Sequence, residues 1–256
     1  MDSYSQFALV YDQLMQDVNY RERTSYLLKL FKKFGKAPTL LLDLACGTGG
    51  FSNEFALRGI EVIGVDMSEE MLLAARENSA DLATDVLFLC QKAEELDLYG
   101  TVDGVICCMD SINHITDIKK LKKAVEKVSL FLEDDCLFIF DVNTVYKHQH
   151  VLADNTFVIE EDDVYCVWQN EYNAKNLTTD ITLDFFVENG EGYTRYSEEF
   201  SERAYTQEEL EEILAECDFE IEAIYGDMTT DSPDENCERA IYVARKRNSS
   251  GVDING

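Results

Sequence analysis

The chain has 256 residues, with 22 Lys and Arg against 51 Asp and Glu and a formal net charge of −29, a length that suggests one or two domains. Such acidity disfavours nucleic acids and anionic membranes as partners, because both need a basic footprint. Hydrophobic residues at 46% and aromatics at 11% separate it from acidic disordered sequences and leave enough apolar surface to bury a core.

The opening residues MDSYSQFALVYDQLMQDV hold no basic stretch followed by an apolar one, and 18 consecutive apolar residues occur nowhere. A cytoplasmic protein is expected, without a membrane partner. Of eight cysteines, Cys46, Cys90, Cys107, Cys108, Cys136 and Cys166 lie in or beside apolar runs without C-x-x-C spacing. That favours buried free thiols over disulfides or a metal centre.

Residues 4 to 34 are amphipathic and aromatic, with Tyr4, Phe7, Tyr11 and Leu14 near helical spacing and a second helix ending at Gly35. From Pro38, TLLLDLACGTGGFSNEFALRG passes from an apolar strand through a glycine-rich turn into a helix. Its unbroken apolarity suits a parallel strand covered on both faces. Strands follow at 60–66, 85–91, 102–109 and 136–143, with helices at 68–79 and about 117–131. The alternation predicts an α/β fold, a doubly wound, Rossmann-like and mostly parallel sheet with right-handed crossovers.

Beyond Asn143 the period changes to two, broken at Asn-Ala-Lys-Asn and Asn-Gly-Glu-Gly. An antiparallel β-meander of about three strands is expected there. Thr206 reads as a helix N-cap with Glu209 as its capping-box partner, and strands at about 219–226 and 237–245 bring the main sheet to seven. The expected organisation is one domain over residues 1–145 and 204–246, an inserted antiparallel β subdomain over 146–203, and a disordered tail over 247–256. The acidic runs at 160–163 and in SEEFSERAYTQEELEE read as solvated faces, Trp168 as meander core, and the vicinal Cys107 and Cys108 as packing.

The chemistry concentrates in LLDLACGTGG, residues 41–50, read with VIGVDMSEEML. In an open α/β sheet a ligand binds beyond the carboxyl ends of the strands, beside the first strand. Asp43 ends that strand, and Gly47 and Gly49 admit backbone conformations and approaches closed to other residues. Asp66 ends the second strand, where a carboxylate accepts hydrogen bonds from both ribose hydroxyls of an adenosine, or caps the helix that begins near Ser68. A dinucleotide fingerprint needs a third glycine where Ser52 stands, and the phosphate-binding lysine of a P-loop is absent. Asp43 would also repel a pyrophosphate, whereas it suits a ligand bearing an ammonium group.

At these residues the sequence resembles the class I S-adenosylmethionine-dependent methyltransferases, whose motif runs from a hydrophobic strand through an acid to G/A-x-G-x-G. Here it reads Asp43, Leu44, Ala45, Cys46, Gly47, Thr48, Gly49, followed by Asp66 and Met67. The resemblance spans about residues 4–145 and implies S-adenosyl-L-methionine as cofactor. It implies Gly47 and Gly49 along the methionine part, Asp43 near the amino group, Asp66 on the ribose, and Met67 and Met71 beside the adenine. It also brings the run Gln91, Lys92, Ala93 to the adenine amino group. The run from Met109 and Asp110 to His114 is implied between cofactor and acceptor, and Tyr4, Tyr11 and Tyr20 form a lid. The layout with an inserted meander is similar to that of the glycine and amino-sugar N-methyltransferases. For each of Met67, Met71, Tyr4, Tyr11 and His114, plain packing is the alternative.

Methyl transfer needs an acceptor lone pair aligned with the methyl group, and an N or O acceptor must shed a proton. His114 and Tyr11 are the candidates to assist. The expected acceptor is a small molecule, neutral or cationic. A protein acceptor is one alternative and a cofactor-binding protein without catalysis is another, an RNA acceptor is disfavoured by the charge, and monomer and homodimer both stay open.

Overall fold

The computed structural model describes residues 18–161 and 164–248. The proposed lid residues Tyr4 and Tyr11, the acidic pair Asp162 and Asp163, and the end of the expected tail lie outside the described residues.

Helix α1 (Tyr20–Phe34) starts at Asn19, whose side chain accepts the Glu22 backbone N–H, so a cap fixes its entry. Its buried Tyr26, Leu27, Leu30 and Phe31 form one stripe against the sheet. There follow β1 (Leu40–Leu44), α2 (Gly50–Ala56), β2 (Glu61–Asp66), α3 (Glu69–Leu82), β3 (Val86–Cys90), β4 (Val102–Cys107), α4 (Ile118–Phe131) and β5 (Leu132–Asn143). A π-helical turn, Lys147–Leu152, leads into β6 (Thr156–Glu161), β7 (Val164–Asn173), β8 (Thr178–Glu188) and β9 (Tyr193–Arg203). The chain then returns through α5 (Gln207–Glu216), β10 (Phe219–Gly226) and β11 (Arg239–Lys246).

The main sheet has seven strands in the order β10-β11-β5-β4-β1-β2-β3. β1, β2, β3, β4 and β5 pair in parallel, and β11 runs antiparallel to both β5 and β10. Leu41 and Leu42 in β1 are both fully buried although they point to opposite faces, as an unbroken apolar strand requires. One core layer joins Leu42, Phe138 and Phe140 to α4 and α5, and the other joins Leu41, Ile139 and Val243 to α1 and α2. Thr206 caps α5 with a complete capping box through Glu209, as expected.

The second sheet has four strands, β6-β7-β8-β9, all antiparallel, one more than the alternation implied. Glu161 pairs with Val164, so a run that reads as one long strand is two. The signal was Asp162-Asp163, two turn-forming residues inside continuous alternation. Among the described residues no helix is long and apolar enough to cross a membrane, and all eight cysteines are free.

Candidate active site

The first wall grows from the turn after β1. Ala45, Gly47 and Gly49 all have positive φ, at 59°, 54° and 79°, which folds the chain back over the strand ends. At Gly49 a Cβ would lie 3.1 Å from Phe88 and 3.2 Å from Ala75, so this glycine serves packing at the start of α2. At Gly50 a Cβ would lie 2.6 Å from the Tyr20 ring. Tyr20 therefore packs directly on the turn, its ring edge-to-face with Phe51 at 5.1 Å between centroids.

Asp66 accepts the Gly47 backbone N–H at 2.9 Å through one oxygen and the Ser68 N–H at 2.9 Å through the other. The side-chain cap of α3 is Ser68, whose Oγ accepts the Met71 N–H at 3.1 Å. Asp66 thus ties β2 to the glycine turn, and burial, opposed by these N–H bonds, holds its carboxyl above the ordinary range. Asp43 is 2% exposed and accepts the Ser52 hydroxyl at 2.6 Å. Desolvation, eased by Ser52 and reinforced by Asp66, pushes it up to about 7. Among the described residues no cationic side chain pairs with it.

These groups open on a cavity of about 530 Å³, a size typical of small-ligand sites. Tyr20, Asp43, Ala45, Cys46, Gly47, Thr48, Asp66, Met67, Met71, Gln91, Ala93, Met109, Asp110 and His114 all line it, so most of the residues singled out in the sequence meet there. Gly49 and Lys92 do not: Gly49 turns to Phe88, and Lys92 is exposed at the edge of a short 3₁₀ turn. The Gln91 amide is spent on the Asp97 backbone, donating at 3.0 Å and accepting at 2.9 Å, which fixes the loop carrying Ala93. Met67 is 63% exposed while Met71 is buried. Burial pushes the Cys46, Cys107 and Cys108 thiols well up, so they stay protonated. Cys107 and Cys108 pack into opposite core layers and both also touch the cavity where β4 ends.

The opposite wall is the four-stranded sheet, which contributes Ile159, Cys166, Trp168, Leu183, Phe200 and the carboxylates Glu198 and Glu202. Trp168 packs on the meander's core, as expected, and also lines this wall, its Nε1 donating to Asn170 Oδ1 at 2.6 Å. Glu198 and Glu202 are 3% and 4% exposed, so part of the acidic run read as solvated surface faces inward. Period-2 alternation places residues 198, 200 and 202 on one face, a signal masked by their charge.

The two walls meet at Asp110. Met109 and Asp110 both have positive φ, at 57° and 52°, and both donate their N–H groups to Asp141 at 2.8 Å. Arg239 bridges the Asp141 carboxylate and Asp110 Oδ1, the latter at 2.6 Å. Burial alone would raise the Asp110 carboxyl, but Arg239, Lys147 and His114 hold it down at about 2. Asp141, Lys147 and Arg239 were missed in the sequence because nothing local marks them, and Glu198 and Glu202 because their charge masks the alternation.

A sheet of this order, with a glycine turn after its first strand and a carboxylate ending its second, defines a binder of an adenosine-bearing ligand. Comparison with known proteins specifies which. Residues 41–135 match the family model described as a methyltransferase domain. Over 244 residues the chain is 34% identical to "Putative methyltransferase YqeM" of Bacillus subtilis (strain 168), covering 95% of this chain and 97% of that protein. It matches an S-adenosylmethionine-dependent methyltransferase from Clostridium acetobutylicum ATCC 824 with a TM-score of 0.87 and 31% identity, over 96% of this chain and all of the other. CalS10, an amino pentose methyltransferase from Micromonospora echinaspora solved with S-adenosylmethionine bound, shares the fold at TM-score 0.76 and 19% identity, over 94% of this chain and 96% of that one. The chain belongs to the class I S-adenosylmethionine-dependent methyltransferases and is an enzyme that uses this cofactor.

Proposed function

We propose that the enzyme transfers the methyl group to an N or O atom of a small molecule. The observation that carries this reading is the cavity of about 530 Å³ bounded on one side by the glycine turn and on the other by the inserted sheet. An acceptor held there is within reach of both walls.

The donor set fits the cofactor. Asp43 is a buried carboxylate without a cationic partner among the described residues, the complement of an ammonium group. Gly47 has open space where a Cβ would stand. Asp66 lines the cavity at the end of β2 and would hold the ribose, with Tyr20, Met67, Met71 and Ala93 supplying apolar surface around it. When bound, S-adenosyl-L-methionine supplies an electrophilic methyl on a sulfonium.

Everything else falls to the protein: holding the acceptor lone pair in line, excluding water, and taking a proton. Ile159, Trp168, Leu183 and Phe200 give the acceptor an apolar bed, while Asp110, Glu198 and Glu202 give it an acidic one. That lining favours a neutral or cationic acceptor. His114 packs against Phe200 with the rings tilted by 31° and their centroids 5.1 Å apart, and it lines the same cavity.

Methyl-labelled cofactor incubated with a panel of amines, phenols and cell extract tests this. Label is expected in low-mass product. Label confined to protein or RNA would sink the small-molecule reading.

A further inference from the structure

Glu202 comes from the middle of an acidic run, yet its side chain is among the most enclosed polar groups in the chain. One carboxylate oxygen lies 3.7 Å from His114 Nε2 and the other 3.7 Å from His148 Nε2. The second also accepts the Asn143 amide at 3.3 Å. His148 is fully buried, its Nδ1 is 2.8 Å from Thr179 Oγ1, and its Nε2 has no hydrogen-bond partner among the described residues. An orphaned buried ring nitrogen is costly, and this one is aimed at a carboxylate that opens on the acceptor end of the cavity.

Desolvation pushes the Glu202 carboxyl up to about 7, Asp110 adding to the rise and His114, Asn143 and Lys147 opposing it. Desolvation also pushes His148 down to about 4, with Asp110 opposing and Lys147 assisting, so the ring is neutral near pH 7. The charged and titratable groups facing Glu202 are Asp110 and His114 from the loop after β4 and Lys147 and His148 from the π-helical turn. Arg239 of β11 acts at one remove, through Asp110.

We propose that Glu202 takes the proton released by the methyl acceptor and that His148 is the positioning residue that holds its carboxylate toward the cavity. This rests on the small-molecule reading above. The acceptor's lone pair forms the new bond to the methyl carbon as the carbon–sulfur bond breaks, its electron pair going to sulfur. The acceptor's N–H or O–H proton passes to the Glu202 carboxylate, which becomes a neutral acid, and the methylated product leaves without added charge. Proton uptake removes a buried negative charge, so burial favours the step. His114, 44% exposed, connects the pair to water for the proton's release. The inserted sheet thereby supplies the proton acceptor as well as the acceptor's bed.

The chain has three histidines, so ring ¹⁵N resonances can be assigned with His114→Gln and His150→Gln. With S-adenosylhomocysteine bound, His148 is expected to stay neutral from pH 5 to 9 while its shifts step near pH 7, reporting Glu202. The step disappears in Glu202→Gln. A flat wild-type profile, or a step that survives in Glu202→Gln, overturns the proposal.

With an acceptor from the panel, Glu202→Gln lowers kcat/KM by about 100-fold and removes the acidic limb of its pH profile. Glu202→Asp restores part of it, and His148→Asn displaces the limb. Calorimetric affinity for S-adenosylmethionine stays within about twofold throughout. An unaltered limb in Glu202→Gln also overturns the proposal. The NMR measurement needs no acceptor, so its failure condemns the proton pair whatever the panel returns. A silent panel with the step present counts against the small-molecule reading alone.

Discussion

Gly47 and Asp66, which meet on the glycine-turn wall of the cavity, are 19 residues apart in the chain, whereas Asp110 and Arg239, which meet beside the inserted sheet, are 129 apart. The first wall is one β-turn-α-β unit that presents backbone N–H groups and strand-end carboxylates to the cavity. The second is assembled from the ends of β4 and β5, the π-helical turn, β9 and β11. A local wall suits the part of the reaction common to the family, because its geometry survives whatever is inserted elsewhere. A composite wall suits the part that differs, since each contributing segment can change separately.

The ionic network inside the composite wall is the first place to break this contrast. Arg239→Ala leaves the Asp110 and Asp141 carboxylates facing each other without their shared cation and frees the left-handed backbone at Met109 and Asp110. Removing one member of such a buried ionic network costs about 3–5 kcal/mol, and urea denaturation should show a loss of that size. Arg239→Lys should recover only part of it, because a point charge cannot bridge two carboxylates as a planar fork does. A loss below about 1 kcal/mol for Arg239→Ala would mean that the composite wall is held together by packing alone.

A smaller effect separates the walls themselves. Asp66→Ala deletes a charge-assisted acceptor, a change of about 1.5–3 kcal/mol, and should weaken S-adenosylmethionine binding by about 10- to 150-fold in calorimetric titration. Phe200→Ala, on the inserted sheet, should leave that affinity within about twofold and raise the KM for the acceptor instead. If Phe200→Ala weakens cofactor binding as much as Asp66→Ala does, the division of labour is wrong.

What could be read in the sequence follows the same divide. Asp43, Gly47 and Asp66 were legible because strand, turn and strand end follow one another, and the Thr206–Glu209 capping box was legible for the same reason. Gly49 was legible as a special backbone position but not as a packing glycine, since Phe88 reaches it from β3. Lys147 and Arg239 carried no local mark, and that of Glu202 was masked by its charge. Their chemistry exists only once β9, the π-helical turn and β11 are brought to the same end of the main sheet. Glu202 in particular sits in a run whose charge advertises solvent, and only register along β9 turns it inward.

The smallest expected effect is one of pH, and it belongs to the glycine-turn wall. Asp43 has a folded value of about 7 against an ordinary aspartate value near 3.9, so the native state binds its proton more tightly than the unfolded state. The stability this group contributes is therefore complete below about pH 4 and is lost as pH rises to about 7. Binding runs the other way. The ammonium group of the cofactor favours the ionised carboxylate, so affinity should rise with pH as the free protein gives up the Asp43 proton. With a value near 7 the ionised fraction grows about fivefold between pH 6 and pH 7, a range in which an α-amino group stays charged. Calorimetry in buffers of different ionisation enthalpy should register proton release on binding. Asp43→Asn should bind more weakly and with a flatter pH slope, the remainder reporting Asp66. An unchanged slope in that variant would move the ammonium away from Asp43 and leave the carboxylate a purely structural partner of Ser52.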